Sequence, residues 1–436
     1  MEASELYPLS EQIKPKELEE VEINPQKNIY TYISICTLSF LVGVNNTSFS
    51  NILQVSLEEY SGNFFPDYHN FLAKLPPIFY HCGGIIAAIV FYNMKKIHFK
   101  NILRFSCILL FTAYISTIAW PHILVIYATR VIIGFATGCM CIIIPQVLHT
   151  MALGTKKIAQ KMTIFPFFLM TGLTITVALG RLASKENYLY INSIPIVLSA
   201  LGFLSLYYTI PLKVQTKDKG KQSMWSFMSN SLSVRSFLHI ILLHFVSKIT
   251  GIDLIMFFSP DLFDANASVF LKTSPLILAT LFTLTGGFIP DKLGRKYPVV
   301  VGLLGISIIN LIIYFTGPGL VTLLCFTALY YCGLNYVPFI SQNEVVPEEY
   351  KIMANELGGI TSWSLGLFMT VFIAFMFTKK SQIIWLVLCA LSLIGVVLLI
   401  IFMKETKGIE QTDFILSFFQ YDSCGKSIEN TDSNTV

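Results

Sequence analysis

Charge is what this 436-residue sequence has least of: Asp, Glu, Lys and Arg together make up 13% of it, against 54% apolar residues. A water-soluble chain carries about twice that charged share, and the mean hydropathy of +0.65 excludes a soluble globular domain. The nine cysteines show no metal-ligand spacing. Eight lie in apolar runs and Cys424 lies in a polar tail, so neither a metal centre nor a disulfide framework is expected. No nucleophile–base constellation is present, which argues against an enzyme, and no cofactor is expected. The net charge of +4 gives no basic tract of the kind that binds nucleic acid. The first 28 residues are polar and acid-rich rather than a cleavable leader.

What is there is apolar sequence in pieces of bilayer length. Twelve runs can be marked, at about 29–50, 70–93, 101–119, 123–148, 162–180, 189–210, 236–259, 270–290, 297–316, 319–341, 355–378 and 383–403, each near the ~20 residues of a spanning helix. Placing the N-terminus in the cytoplasm puts 22 of the 30 Lys and Arg on that side and six on the other, with Arg130 and Lys248 inside spans. That bias orients both termini to the cytoplasm. The spacing predicts an all-α membrane protein of two six-helix halves, 29–210 and 236–404. Polar tails, 1–28 and 405–436, flank them and a basic linker, 211–235, joins them. Within the linker, Met224-Trp-Ser-Phe-Met228 reads either as a flexible connector or as an interfacial helix with Trp225 and Phe227 in the headgroups.

Several stretches are more particular than a lipid-facing helix requires. Gly286 to Lys296 puts Asp291, Lys292, Arg295 and Lys296 on a short turn made by Gly294, between two spans. Gly43-Val-Asn-Asn-Thr47 places polar atoms in the first span, where Asn45 serves either as helix-packing glue or as a ligand contact. Asn45 and Asn46 each open a glycosylation sequon at membrane depth, which leaves Asn266-Ala-Ser268 as the one an outer loop could present. Arg130 in the fourth span must face protein or water, and Gly134 and Gly138 share one helix face for close packing. The seventh span carries Ser247, Lys248 and Asp253 around Gly251. In a straight helix five residues set two side chains ~140° apart, so a direct Lys248–Asp253 pair is awkward and cavity-lining roles are preferred; a break at Gly251 would free backbone groups for a ligand. Pro338 breaks the tenth span, which runs on to Glu344 and Lys351; the eleventh carries Ser362 and Trp363, and Glu405-Thr-Lys-Gly408 follows the twelfth.

Asp291–Lys296, Glu344–Pro347 with Lys351, Trp363 and Glu405–Gly408, taken in this order, resemble the sugar-porter branch of the major facilitator superfamily, which includes the facilitative glucose transporters. Gly251 to Ser259 is similar to that branch's seventh-span segment, and Gly83, Gly84, Arg130, Gly134 and Pro145 fall where the family has them. The N-terminal half matches less well. Its loop reads Asn93 to Lys100 without the Gly-Arg-Arg signature, and Thr150 stands where an acid is expected. At the sugar site, Ser247-Lys248 replaces a Gln pair, Asp253 an Asn, Pro166 a Gln, Ala279 an Asn, Tyr331 an acid, Phe339 a Trp and Ser362 an Asn.

The resemblance implies alternating access around a central cavity. The expected substrate contacts are Asn45, Ser247, Lys248, Asp253, Tyr331, Ser362 and Trp363. A cytoplasmic gate is expected from Asp291, Gly294, Arg295, Lys296, Glu344, Lys351 and Glu405. The expected solute is a monosaccharide or related small polar molecule. Transport is expected to be uniport, because proton-coupled members carry an Asp where Asn45 stands and no acid lies in the first six spans. Alternatives are an anionic or phosphorylated metabolite with Lys248 as counter-charge, proton-coupled sugar symport, and a non-transporting nutrient sensor. The chain is further expected to be a monomer in the plasma membrane, with lipid and a small-molecule substrate as its partners.

Overall fold

The computed structural model describes residues 25–47, 75–93, 98–120, 122–152, 158–181, 188–207, 209, 224–229, 231–258, 262, 268–335, 337–346, 350–378 and 382–407. The N-terminal tail to residue 24, the linker up to residue 223, Asn266 and the tail beyond Lys407 lie outside the described residues, as do residues 94–97 of the Asn93–Lys100 loop.

Hydrocarbon offers no partner to a backbone N–H or C=O, so a chain this apolar folds as helices that satisfy themselves. Among the described residues twelve helical columns result. The first four are Pro25–Thr47, Pro76–Asn93, Phe99–Ala119 and Ile123–Ala152. The fifth joins Ile158–Met162 to Ile164–Arg181, and the sixth is Tyr188–Ser205. The seventh joins Ser231–Ile249 to Ile252–Phe258, and the eighth joins Val269–Gly286 to Phe288–Leu293. Lys296–Thr316 is the ninth, Leu320–Gly333 with Val337–Glu344 the tenth, and Lys351–Thr378 and Ile383–Phe402 complete the set. Among the described residues nine helices are long and apolar enough to span a membrane by length and composition alone. The second, sixth and seventh columns are not among those nine; the sixth has a shorter apolar stretch, Tyr190–Ser205, and the second and seventh carry His81, and Arg235, His239, His244 and Lys248, respectively.

The pairing of columns repeats. Contacts 1–5, 2–4, 3–6, 3–4 and 1–6 in the first half recur in the second as 7–11, 8–10, 9–12, 9–10 and 7–12. The two halves meet along two seams, columns 2 and 11 and columns 5 and 8. Small residues bring backbones together: Gly134 lies on the Tyr80 carbonyl, and Gly138 on Gly84 and Ala87, so both use the shared face read from their spacing. The polarity is inverted relative to a soluble protein. Phe105, Phe315, Val321, Phe368, Ile400 and Phe402 are exposed, while Asn45, Asp253, Asn310 and Glu356 are buried. This is an integral multi-pass membrane protein, and its apolar exterior is the lipid-facing surface.

The linker segment Met224–Ser229 is helical, but Phe227 is fully buried against Ile240, Val345, Val346 and Tyr350. The headgroup placement expected for Phe227 is therefore corrected: its ring finds a dry site against columns 7 and 10, which removes more apolar surface from water than an interface can.

Candidate functional site

A cavity of ≈ 190 Å³ lies between the halves. Columns 1, 2, 4 and 5 face it from one side through residues such as Asn46, His81, Cys141 and Met170. Columns 7, 10 and 11 face it from the other through Lys248, Asp253, Tyr330, Asn355 and Trp363. Three of these walls come from columns whose helix is interrupted, the fifth, seventh and tenth. An irregular backbone at membrane depth is tolerated where it faces a cavity.

The seventh column ends its first helix at Ile249, passes through Gly251 at φ +89° and restarts at Ile252. That left-handed residue removes the straight-helix separation assumed from the sequence. Lys248 Nζ donates to Asp253 Oδ1 at 3.1 Å and to Oδ2 at 3.5 Å. The direct ion pair, awkward in a straight helix, is therefore formed, and both partners line the cavity as well. The Asp253 side chain is 3% exposed and that of Lys248 23%, so the ammonium is the member that faces the space. Among the described residues, these two are the only Lys, Arg, Asp or Glu in the lining. Asn310 steadies the break by donating to the Thr250 carbonyl at 3.3 Å.

Ser247, Tyr331, Ser362 and Trp363 also reach the cavity. The Ser247 hydroxyl pairs with the Tyr330 hydroxyl at 2.9 Å, and the Tyr331 hydroxyl donates across the halves to Met170 Sδ at 3.1 Å. The Trp363 ring lies directly on Gly84 and edge-on to Tyr80 and His81, with centroids 5.5 and 5.7 Å away. Asn45 is placed elsewhere. It is fully buried, accepts from the Tyr114 hydroxyl at 2.8 Å and donates to Thr137 Oγ1 at 3.3 Å, while Arg130 donates to its carbonyl at 3.4 Å. Its neighbour Asn46 lines the cavity instead. The helix-packing reading of Asn45 is the one its contacts support.

His81, Tyr80, Tyr330, Asn335 and Asn355 line the cavity but were not singled out from the sequence. For His81 a signal existed, an ionisable side chain inside an apolar run. For the others, polar groups in a span carry no mark of which face they occupy.

The loop after the eighth column builds a second cluster. Gly294 turns at φ +88° against the Glu405 carboxylate. Arg295 grips Glu344 with two N–H groups, Nη2 to Oε1 at 2.7 Å and Nε to Oε2 at 3.2 Å, and gives a third to the Pro290 carbonyl at 2.8 Å. Asp291 lies at 3.8 Å from Arg295 Nη1. Thr406 donates to Glu344 Oε2 at 2.7 Å, which adds the twelfth column to the cluster. Glu405 itself does not pair with a guanidinium. It accepts the backbone N–H groups of Arg295, Lys296, Thr406 and Lys407 at 2.7–3.0 Å. It thereby satisfies the opening donors of the ninth helix. Burial alone would raise the Glu405 carboxyl, but these four donors hold it below its ordinary value. Lys296 Nζ closes on the Ile400 carbonyl at 3.1 Å. Lys351 begins the eleventh helix, its side chain outside the described residues. Asp291 also crosses to the first half: its Oδ2 accepts the Gln160 backbone N–H at 3.2 Å.

Set against known proteins, residues 207–414 match the family model described as "Sugar (and other) transporter". A probable quinate permease of Aspergillus fumigatus is 24% identical over 193 residues, 38% of this chain and 36% of that protein. A membrane transporter named D1 from Leishmania donovani is 24% identical over 194 residues, 39% of this chain and 36% of that one. The chain thus spans about a third of the length of the curated relatives it matches. Among solved structures, a proton:xylose symporter bound to 6-bromo-6-deoxy-D-glucose superposes with a TM-score of 0.73 at 16% identity, over 90% of this chain and 99% of that one. The transporter FucP in its outward conformation superposes with a TM-score of 0.65 at 14% identity, over 87% and 100%. The described bundle thus has the fold of these major facilitator transporters, and its second half is similar in sequence to the sugar-transporter family.

Proposed function

We propose that the chain is a carrier of a monosaccharide or similarly small polyhydroxylated solute, working by alternating access of the two halves around the central cavity. The observation that carries this reading is the Lys248–Asp253 pair at 3.1 Å. It leaves the cavity with no net charge from its fixed ions, and it sets a donor and an acceptor side by side. A vicinal diol can bridge such a pair, donating one hydroxyl to Asp253 and accepting from Lys248. Ser247, Asn46, Asn335 and Ser362 supply neutral partners around it, and Trp363 a flat apolar face.

Uniport is the coupling mode we favour. The amide of Asn45 is committed to Tyr114 and Thr137 and cannot take up and release a proton. The loop cluster around Arg295 is then the cytoplasmic gate, with both termini on that side of a plasma membrane and the monomer as the working unit. A second reading, an anionic hydroxylated solute, has one observation in its favour: the ammonium of the pair is the exposed member. Two of the relatives above bear on this choice, since a quinate permease is named for a carboxylate and a xylose symporter for a neutral sugar.

Uptake by the purified chain in proteoliposomes decides between them. Labelled D-glucose and D-xylose entering down their gradients, without acidifying or alkalinising a lightly buffered lumen, is the expected result. Entry of a hydroxylated monocarboxylate to the exclusion of both sugars, at every pH tested, would replace the first reading by the second.

A further inference from the structure

The walls of the cavity are unequal in polarity. The second half gives it the Lys248–Asp253 pair with Ser247, Asn335, Asn355 and Ser362. From the first half, the fourth and fifth columns present Ile142, Met162, Phe165, Pro166, Leu169 and Met170. Among the described residues, the polar group of that stretch is the Cys141 thiol, a weak hydrogen-bonding group. Asn46, Tyr80 and His81 come from the first and second columns. His81 stands at the end of the pair: the point a Gly366 Cβ would occupy is 2.8 Å from its Nε2 and 3.6 Å from Lys248 Nζ. His244, one turn before Lys248, packs edge-on to Phe339.

Composition does not force the fifth column to be apolar where it meets the cavity. The column carries four threonines, Thr163, Thr171, Thr174 and Thr176, and none of them lines that space. Their hydroxyls donate instead to the backbone carbonyls of Gln160, Phe167, Leu276 and Gly172, respectively. A chain of contacts leads from the seventh column across to this wall. The Ser247 and Tyr330 hydroxyls meet at 2.9 Å, the Tyr330 and Tyr331 rings lie 5.1 Å apart, and Tyr331 gives its hydrogen to Met170 Sδ at 3.1 Å. The sulfur thus takes up the donor that the tenth column would otherwise offer beside the wall.

A pyranose carries hydroxyls around its whole ring. With one diol held by the pair, a hydroxyl on the opposite edge leaves water and gains no partner on the fourth and fifth columns. Each such hydroxyl lowers affinity by roughly tenfold, whereas a C–H edge in its place gains apolar contact. We propose that the solute this cavity prefers is a deoxy sugar. Its hydroxyls lie along the edge held by Lys248 and Asp253, and the edge that lacks one lies on the wall made by Leu169, Met170 and their neighbours. The inference rests on the carrier reading for transport, but the preference itself is a property of binding and is measured without it.

Binding of D-glucose and of 2-deoxy-, 3-deoxy-, 4-deoxy- and 6-deoxy-D-glucose to the full chain in lipid nanodiscs, followed by calorimetry, tests it. One of the four should bind roughly tenfold more tightly than D-glucose, and loss of a hydroxyl held by the pair should weaken binding. Met170→Gln, close in volume and still an acceptor for Tyr331, puts an amide on the wall and should bring D-glucose to within about threefold of the preferred analogue. Met170→Leu should keep the preference. D-glucose binding as tightly as all four analogues in the wild type overturns the inference, and so does the absence of binding by any of them. A preference that Met170→Gln leaves untouched overturns its assignment to this wall. Uptake in proteoliposomes separates the two readings. D-glucose carried with no preference for an analogue keeps the carrier and defeats the inference, and a preferred analogue bound but not carried does the reverse.

Discussion

Lys248 and Asp253 are five residues apart on one column, yet their charged groups meet at 3.1 Å because the chain passes through Gly251 at φ +89° between them. The pair is a product of the break. On an uninterrupted helix the two side chains would stand on different faces, and the cavity would hold a bare ammonium on one side and a buried carboxylate on the other.

Removing one partner should therefore be worse than removing both. Lys248→Gln leaves Asp253, 3% exposed, without its counter-ion, a change that costs about 3–5 kcal/mol when a buried pair is broken. Combining Lys248→Gln with Asp253→Asn should recover most of the thermal stability and retain hexose uptake. A double variant no more stable than the single one would show that the two residues are not energetically coupled.

Gly251→Ala should break the same pair from the backbone. A Cβ there sits in a left-handed conformation and meets the Leu388 side chain at 2.6 Å. The expected result is a loss of stability of about 1–3 kcal/mol together with lost uptake. Gly317→Ala, also at positive φ but with nothing within 4 Å of the added methyl, should cost less and leave uptake intact. Equal effects at the two sites would show that the strain, and not the pair, matters.

Glu344→Gln should open the end of the bundle that carries the Asp291–Lys296 loop. It removes the carboxylate that joins Arg295 to Thr406 and so unties the eighth, tenth and twelfth columns. Accessibility of an engineered cysteine in the cavity to a membrane-impermeant reagent added on that side should rise several-fold. Replacing Lys96, in the first half's loop, should change it little. Equal changes would mean that the cluster does not bias the gate.

Acid should loosen the same cluster through Glu405. Its carboxyl lies below the ordinary 4.5 in the folded chain, so the stabilisation it provides is complete above pH 4.5 and fades as the pH falls through the depressed value. Glu405→Gln should lower the melting temperature at pH 7 and flatten its fall between pH 5 and 3. An unchanged slope in that variant would assign the acid sensitivity to another carboxylate.

Gly84→Ala drives a methyl into the Trp363 ring across the 2–11 seam. Uptake should fall by an order of magnitude or more without loss of the folded protein, and Trp363→Phe in the same background should restore part of it. No restoration would mean that Trp363 acts on the solute alone, and not through the seam.

Much of this architecture could be read in advance, because a bilayer imposes a length and an apolar composition that a sequence cannot conceal. The loop chemistry was equally legible, since Asp291, Gly294, Arg295, Glu344 and Glu405 are charges or glycines where lipid-facing sequence has neither. Facing was not. A span apolar on every side carries no periodicity to orient it, and adjacent residues such as Asn45 and Asn46 differ by only ~100° of rotation. One lies in a dry network with Tyr114 and Thr137, the other on the cavity. The Lys248–Asp253 contact was hidden for a related reason. Gly251 marked a place where a helix can break, but the direction of the break depends on the Asn310 and Leu388 side chains packed against it from other columns.

The hydrogen bond from the Gln160 backbone to Asp291 has a genetic corollary. Its donor is a main-chain amide, which every amino acid but proline supplies, so nineteen of the twenty residues at position 160 keep it. Side-chain scanning of that segment would pass over the contact unseen. A proline scan through Ile158–Met162, or a backbone ester at residue 160, would expose it. The first half can therefore drift in sequence along this edge while the latch persists, and the whole burden of specifying it falls on a single codon, that of Asp291.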